Sequence, residues 1–278
     1  MAMDFRIVQH DCVASTNDEV KQAIEVGEPE GLVVRARMQT GGYGRQGRTW
    51  ESPEGGLYQS LLLRPQVPMA QLPTLALVAA LAVRTAVLQT SGAPERIVQV
   101  KWPNDIVIEV GLRPQRPLPQ NGTKVAEGDV PLLRGKLAGI SCEIHAGGIC
   151  LGIGVNVLRP QTGALELPTE KTPAYLVDLL QGEALRDCEP SSLVAHVGDA
   201  VLEAFAMYYD RWQRAGFAAF ADEFAACSSL TGKHVCIADI TGAVTVEGTV
   251  SGVDMHGRLL VRTASGEIPV TSGEAHLR

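Results

Sequence analysis

Residues 36–50 read ARMQTGGYGRQGRTW, with four glycines and three arginines in fifteen positions. No regular element can run through them, so the chain on either side must be arranged around a loop. Gly41, Gly42, Gly44 and Gly47 admit backbone conformations that a Cβ forbids. Consecutive amides can therefore turn toward an anion, while Arg45 and Arg48 add charge-assisted donors. The letters also match two phosphate motifs, G-x-G-x-x-G at Gly42, Gly44 and Gly47, and a near P-loop with arginine for lysine. Both need a helix to begin at once. Glu51-Ser-Pro-Glu-Gly-Gly follows instead, and no acidic residue stands about 20 positions on to hold a ribose. Both motifs are rejected. The competing reading is a polar loop without a ligand, although loops this long are usually functional.

With 278 residues and 45% hydrophobic content, the chain can bury one large core and a small second one. A net charge of −7 argues against a nucleic-acid surface, which needs clustered Lys and Arg. A basic loop in an acidic chain suits a small anionic ligand. Asp4 and Arg6 stand where an export signal needs an apolar core, and the apolar stretch 72–88 opens at Pro73 and is interrupted by Arg84. These features predict a cytoplasmic protein with a buried helix rather than a membrane span. The six cysteines include no C-x-x-C pair, and Cys142, His145 and Cys150 are not at zinc spacings, so reduced, packed thiols are expected.

Ser15-Thr-Asn opens a helix with a capping box from Thr16 to Glu19, and plain capping would account for these side chains as well as ligand binding would. Residues 31–37 and 57–63 read as the strands that enter and leave the glycine loop, and 73–89 as a helix packed on a sheet. Residues 96–108 are β-rich around a proline, which predicts a break or bulge at 101–105 that aims polar groups at a cleft. Residues 111–134 hold four prolines and little periodicity, as a surface insertion would. A strand resumes at 135–145, and Gly147-Gly148 turns it into a second, 149–157. Gly152 and Gly154 inside that strand imply either the close approach of a ligand or another backbone, or tight sheet packing. Helices are predicted at 172–180, 191–214 and 217–227, followed by short strands at 235–240, 244–253, 259–263 and 267–270 that suggest a small β-barrel.

Four segments together resemble the biotin protein ligases: Ser15-Thr-Asn, the loop from Gln39 to Trp50, Lys101-Trp-Pro-Asn-Asp, and Lys136-Leu-Ala-Gly. Gly-Ile-Gly-Val-Asn ending at Asn156 and the stretch 252–261 are similar too. The resemblance covers nearly the whole chain and is to the monofunctional type, since only fourteen residues precede Ser15 and a helix-turn-helix is not expected there. It implies an α+β fold: a mixed β-sheet flanked by helices over residues 1–228, with 111–134 as an insertion, and a small SH3-like β-barrel over 229–278. It implies activation of biotin with MgATP to biotinyl-5′-AMP, then transfer to a lysine of a biotin carboxyl carrier domain, with room for a homodimer.

By that resemblance Ser15, Thr16, Asn17, Gln39, Gly42, Tyr43, Arg45, Lys136, Gly139, Gly152 and Gly154 hold biotin, the last three as backbone walls. Arg45, Arg48, Trp50, Lys101, Asn104 and Asn156 hold ATP, with Trp50 over the adenine, and Asp105 binds Mg²⁺. Lys136, Arg45 and Lys101 are the catalytic cations that let two anions meet and stabilise the leaving pyrophosphate. Two departures stand out. Family members often have arginine where this chain has Tyr43, and the 111–134 segment is longer than the usual turn. The alternatives are a lipoate-protein ligase and a non-catalytic biotin or adenylate sensor.

Overall fold

In a computed structural model we describe residues 3–111, 132–160, 173–180 and 189–278. The chain opens with strand β1 (Arg6–Val13), helix α1 (Thr16–Glu25), β2 (Leu32–Gln39) and β3 (Leu57–Leu63). Helix α2 (Leu75–Ser91), β4 (Val98–Lys101), β5 (Asp105–Gly111), β6 (Leu132–His145) and β7 (Gly148–Val155) follow. These seven strands form one sheet in the order β1-β2-β3-β7-β6-β5-β4. Only β1 and β2 pair in parallel, so the sheet is mixed.

All seven residues of β3 are buried, which requires cover on both faces. On one face Leu57, Leu61, Leu63, Leu151 and Ile153 join the main core beneath α2 and α3 (Pro190–Ala215). On the other, Leu32, Val34, Leu62 and Cys150 meet Val20 and Ile24 of α1. Helix α2 is apolar almost all round because it lies between the sheet and α3. Its last turn closes at Gly92, in the left-handed region at φ 65°, whose amide bonds to Leu88 O. The stretch Met69–Ser91 is long and apolar enough to cross a membrane, but most of it is buried as a core helix. In α3, Phe205, Tyr209 and Trp212 stack in sequence, and the Trp212 indole N–H donates to Thr74 Oγ1 at 2.8 Å.

After α4 (Ala221–Cys227) come β8 (His234–Ala238), β9 (Val244–Val253), β10 (Leu259–Thr263), β11 (Gly266–Val270) and β12 (Glu274–Leu277). They make a five-stranded antiparallel sheet with β11 and β12 at its edges, where a small barrel was expected. It docks on the larger sheet through the turn before β10. The buried Trp102 indole donates to Gly257 O at 3.0 Å, and a Cβ on Gly257 would come 2.6 Å from Leu77.

Several local expectations need correction. Residues 101–105 are the expected break between strand pieces rather than a bulge. They form the turn of a β4–β5 hairpin, with Lys101 opposite Asp105 and a cis Trp102–Pro103 peptide. The β6–β7 turn is Ala146-Gly147, both at positive φ, with Gly148 already in the strand. Leu176–Leu179 is a single 3-10 turn rather than an α-helix, and Phe217–Phe220 is another that precedes α4. At the ends of the expected insertion, Gly111 and Leu132 pair as strand residues, and 112–131 lie outside the described residues, as do Thr172 and Cys188. Helix α1 has Ser15 as its N-cap with no side-chain cap bond, so the capping box is not made.

Trp102→Phe removes one buried hydrogen bond between the two sheets and leaves Gly257 O unpaired. We expect it to lower stability by about 1–3 kcal/mol in chemical denaturation with the fold retained.

Candidate active site

The side chains at the start of α1 are spent on contacts across the sheet. Ser15, Thr16 and Asn17 are all under 5% exposed. The Thr16 amide donates to Gln39 Oε1 at 2.8 Å, and its hydroxyl lies 3.1 Å from the same oxygen and 2.7 Å from Ser60 Oγ. Ser60 donates to Asn17 Oδ1 at 2.7 Å, and Asn17 Nδ2 donates to Ser141 Oγ at 3.3 Å. Gln39 Nε2 reaches Ser52 Oγ at 2.8 Å. Two hydroxyl protons, those of Thr16 and Ser60, serve three contacts, so the cluster has spare acceptor capacity. It is suited to a ligand that brings N–H donors.

The sheet beneath this cluster is bare. Gly139 pairs with Gly154 and Ser141 with Gly152 across β6 and β7. A Cβ on Gly152 would stand 2.3 Å from Asn17 Oδ1, and one on Gly154 would stand 2.8 Å from the Trp50 indole. What approaches these glycines is neither a ligand nor another backbone but the side chains of Asn17, Ser141 and Trp50. Trp50 lies on Gly139 and Gly154, with its indole N–H buried and unpartnered. The Lys136 ammonium sits 5.1 Å from its ring centroid.

At the far end of the cleft the groups are charged. Lys136 Nζ lies 2.7 Å from Asp105 Oδ1, a charge pairing without good hydrogen-bond alignment, so the carboxylate keeps acceptor capacity. Arg45 Nη1 donates to Asn104 Oδ1 at 3.0 Å, and burial lowers its pKa, partly offset by Asp105. Asn104 is held in turn by Ile140, whose carbonyl accepts from Nδ2 at 2.8 Å. Arg48 pairs with Glu274 of β12, so the glycine loop reaches the C-terminal sheet.

The loop itself is a small hairpin. Tyr43 pairs with Thr49, the Gly44 amide bonds to Arg48 O at 2.8 Å, and Arg45–Gly47 makes a 3-10 turn at the tip. The amides of Gly44, Arg48 and Trp50 are used within it, and the side chains of Arg45 and Arg48 add charged donors beside it.

A cleft of about 740 Å³ joins both ends. Its lining includes Thr16, Asn17, Gln39, Tyr43, Arg45, Arg48, Trp50, Lys101, Asn104, Asp105, Lys136, Gly139, Gly152 and Gly154, fourteen of the residues singled out in the sequence. Three predicted residues do not line it. Ser15 is buried behind Thr16 as the N-cap. Gly42 packs under Gln39 and Ser52. Asn156 braces the site from below, donating to Lys136 O at 3.1 Å. Sequence reasoning missed Ser60, Ser141, Glu274 and His276, which also line the cleft. A serine inside the wholly buried strand Leu57–Leu63 was the available signal for Ser60. Nothing local marks the other three.

For magnesium, Asp105 is the fitting donor. Among the described residues no group of three or more His, Cys, Asp or Glu could cage a metal. One carboxylate with open acceptor capacity suits an ion that brings its own phosphates and waters.

Residues 10–158 match the Biotin/lipoate A/B protein ligase family, and 231–278 match the Biotin protein ligase C terminal domain. A biotin--[acetyl-CoA-carboxylase] ligase of Paracoccus denitrificans is 30% identical over 87% of this chain and 88% of that one. A bifunctional ligase/repressor of Bacillus subtilis is 28% identical over 99% of this chain and 75% of its own. The solved biotin protein ligase of Aquifex aeolicus, in complex with biotin and ATP, aligns over 98% of both chains at 25% identity and a TM-score of 0.73. With its glycine-floored cleft and these likenesses along its length, the chain belongs to the Biotin/lipoate A/B protein ligase family.

Proposed function

We propose that this protein is a biotin protein ligase that activates biotin with MgATP and passes the biotinyl group to a lysine of a biotin carboxyl carrier domain. The observation that carries this reading is the polarity of the cleft. Hydrogen-bond acceptors lie at one end, four cationic side chains lie toward the other, and the Trp50 indole on glycine-floored sheet lies between them.

A ureido ring presents two N–H donors and one carbonyl, which suits the Thr16, Asn17, Gln39 and Ser60 cluster. The dithiolane of lipoate would leave those groups unpaired, so the cluster favours biotin over that alternative. The valeryl chain would then run past the Trp50 indole, which rests on Gly139 and Gly154, toward Lys136. There a biotin carboxylate oxygen attacks the α-phosphorus of ATP, the new O–P bond forms, and the bond to pyrophosphate breaks. Lys136, Lys101, Arg45 and Arg48 offset the negative charge that accumulates. Magnesium, bound with the nucleotide and held by Asp105, would add charge neutralisation on the phosphates. Lys136, paired with Asp105 before ligand arrives, exchanges that partner for the anionic oxygens of the substrates. In the second step a carrier lysine, entering as the free amine, attacks the acyl carbon, the C–N bond forms, the acyl–oxygen bond to AMP breaks, and the amine's proton passes to solvent.

We assign residues 1–228 to the catalytic unit and 229–278 to a second unit, supported by the two separate sheets. Trp50 is assigned to cover the adenylate from the glycine side, supported by its unpartnered indole N–H over Gly154. A cytoplasmic location is supported by the five free cysteines among the described residues.

Gly152→Ala would drive a methyl group into Asn17 and Ser141. Biotin affinity should fall about 5- to 150-fold, the equivalent of roughly 1–3 kcal/mol, while ATP affinity is nearly unchanged in calorimetry. A variant that weakens ATP and spares biotin would reverse the assignment of the two ends.

Lys136→Gln keeps length and hydrogen bonding but removes the charge. Adenylation, followed as biotin-dependent pyrophosphate exchange, should drop about 10²–10³-fold. Transfer from synthetic biotinyl-5′-AMP should survive, because the meeting of two anions has been bypassed. Exchange at the parent rate would remove Lys136 from the mechanism, and exchange supported by lipoate but not biotin would overturn the substrate.

A further inference from the structure

At the edge of the cleft, Tyr43 of its lining meets three polar side chains to which no role has been given, at the root of the glycine loop. Tyr43 Oη donates to Asp18 Oδ1 at 2.7 Å and accepts from Lys21 Nζ at 2.9 Å. Lys21 also donates to Glu143 Oε2 at 2.7 Å, and its ammonium lies 5.2 Å from the Tyr43 ring centroid. Asp18 and Lys21 are neighbours one turn apart on α1. Glu143 lies two residues after Ser141 on β6, and therefore on the same face of the strand. Tyr43 alone comes from the loop.

Its position decides what it controls. Tyr43 pairs with Thr49 at the base of the hairpin whose tip carries Arg45. Fixing the base fixes the direction in which that guanidinium points. The hydroxyl donates once and accepts once. Burial raises the Tyr43 pKa, so it stays neutral and keeps the proton it donates. A second cation at position 43 would face Lys21, which makes the tyrosine and the Lys21–Glu143 pair a matched set.

We propose that Tyr43 is a positioning residue that holds the glycine loop shut before either substrate binds, so that the lid is pre-formed by folding and not assembled by ligand. The same helix carries Thr16 and Asn17, so α1 links the ureido end of the cleft to its cover. A loop ordered in advance adds little ordering entropy to the binding step, and it opposes escape of a reactive adenylate.

The consequence for turnover rests on the biotin-activating function, but the loop's order does not. The test therefore begins without substrate, on the full-length protein. Trypsin cleavage after Arg45 and Arg48 is followed by mass spectrometry, with other cleavage sites as internal controls. Tyr43→Phe keeps the ring and loses both hydrogen bonds, and Lys21→Met removes the ammonium that orients the hydroxyl. Each should speed cleavage at those two bonds about five- to tenfold, as expected for losing one or two net hydrogen bonds. Excess biotinyl-5′-AMP should return both variants to the parent rate. With biotin and ATP, Tyr43→Phe should raise KM for biotin several-fold with kcat little changed, and should release free adenylate faster. Equal cleavage of parent and both variants without ligand would overturn the proposal, as would acceleration spread evenly over all sites. Faster cleavage at the loop in protein that shows no biotin-dependent exchange would leave the latch standing and overturn the function instead.

Discussion

Everything at the site depends on a patch of sheet with no side chains on it. Gly139, Gly152 and Gly154 lie together on one face of β6 and β7, so Asn17 and the Trp50 indole can rest directly against the strands. Isolated glycines weaken a strand through lost packing and greater unfolded-state freedom. Here the weakness is offset from the opposite face, where Ile140, Leu151, Ile153 and Val155 belong to the main core. The same strands therefore carry a dense face that holds the fold and a glycine face on which Asn17 and Trp50 lie flat beside the cleft. A methyl group at any of the three glycines meets a neighbour within 3.1 Å, so cleft and cover are fitted to each other rather than merely adjacent.

The charged end follows a related economy. Four cations and two carboxylates line it, and two of the cations are already matched, Lys136 with Asp105 and Arg48 with Glu274. Unpaired, a half-buried cluster of like charge would strain the fold. Paired too tightly, it could not turn to a phosphate. Both pairings are partly exposed, with side-chain exposures of 24–58%, where water screens them and makes them exchangeable. The Arg48–Glu274 contact also gives the C-terminal sheet a place at the cleft, which its docking through Trp102 already fixes. The Trp-Pro-Asn-Asp run thus divides its work. Trp102 binds the two sheets, Asn104 aims Arg45, and Asp105 faces the ligand's end.

Legibility from sequence followed the range of each signal. The glycine loop, the strands beside it, α2 and α3 were readable because their periodicity is local. Strand β1 was not, since most of its residues are exposed and its pairing partner lies beyond α1, so no alternation marks it. Strand β12 is four residues long and was missed for lack of length. At the site, the resemblance named fourteen of the lining residues by motif. Glu274 and His276 arrive from 120 residues or more away, through the docking of the second sheet, and no spacing rule connects them to the loop. Ser15, Gly42 and Asn156 show the opposite error. Each belongs to a motif and sits near the cleft, but it supports a neighbour that touches the cleft without doing so itself.

The start of α1 shows why a residue's commonest role misled at one point. Ser15, Thr16 and Asn17 are good capping residues, and a side-chain cap is worth about 1 kcal/mol to a helix. This helix has none. The Thr16 amide, one of the unpaired donors at any helix start, takes its acceptor from Gln39 on β2 instead. That substitution frees the Thr16 and Asn17 side chains for the cluster with Ser60 and Ser141. It also orients the Gln39 amide, because an oxygen that accepts from Thr16 leaves Nε2 to reach Ser52. One exchange of hydrogen-bond partners therefore sets the direction of the acceptors at the binding end. A helix capped by its own serine or threonine would hold those side chains against its first turn, and the acceptor-rich end of the cleft would not exist.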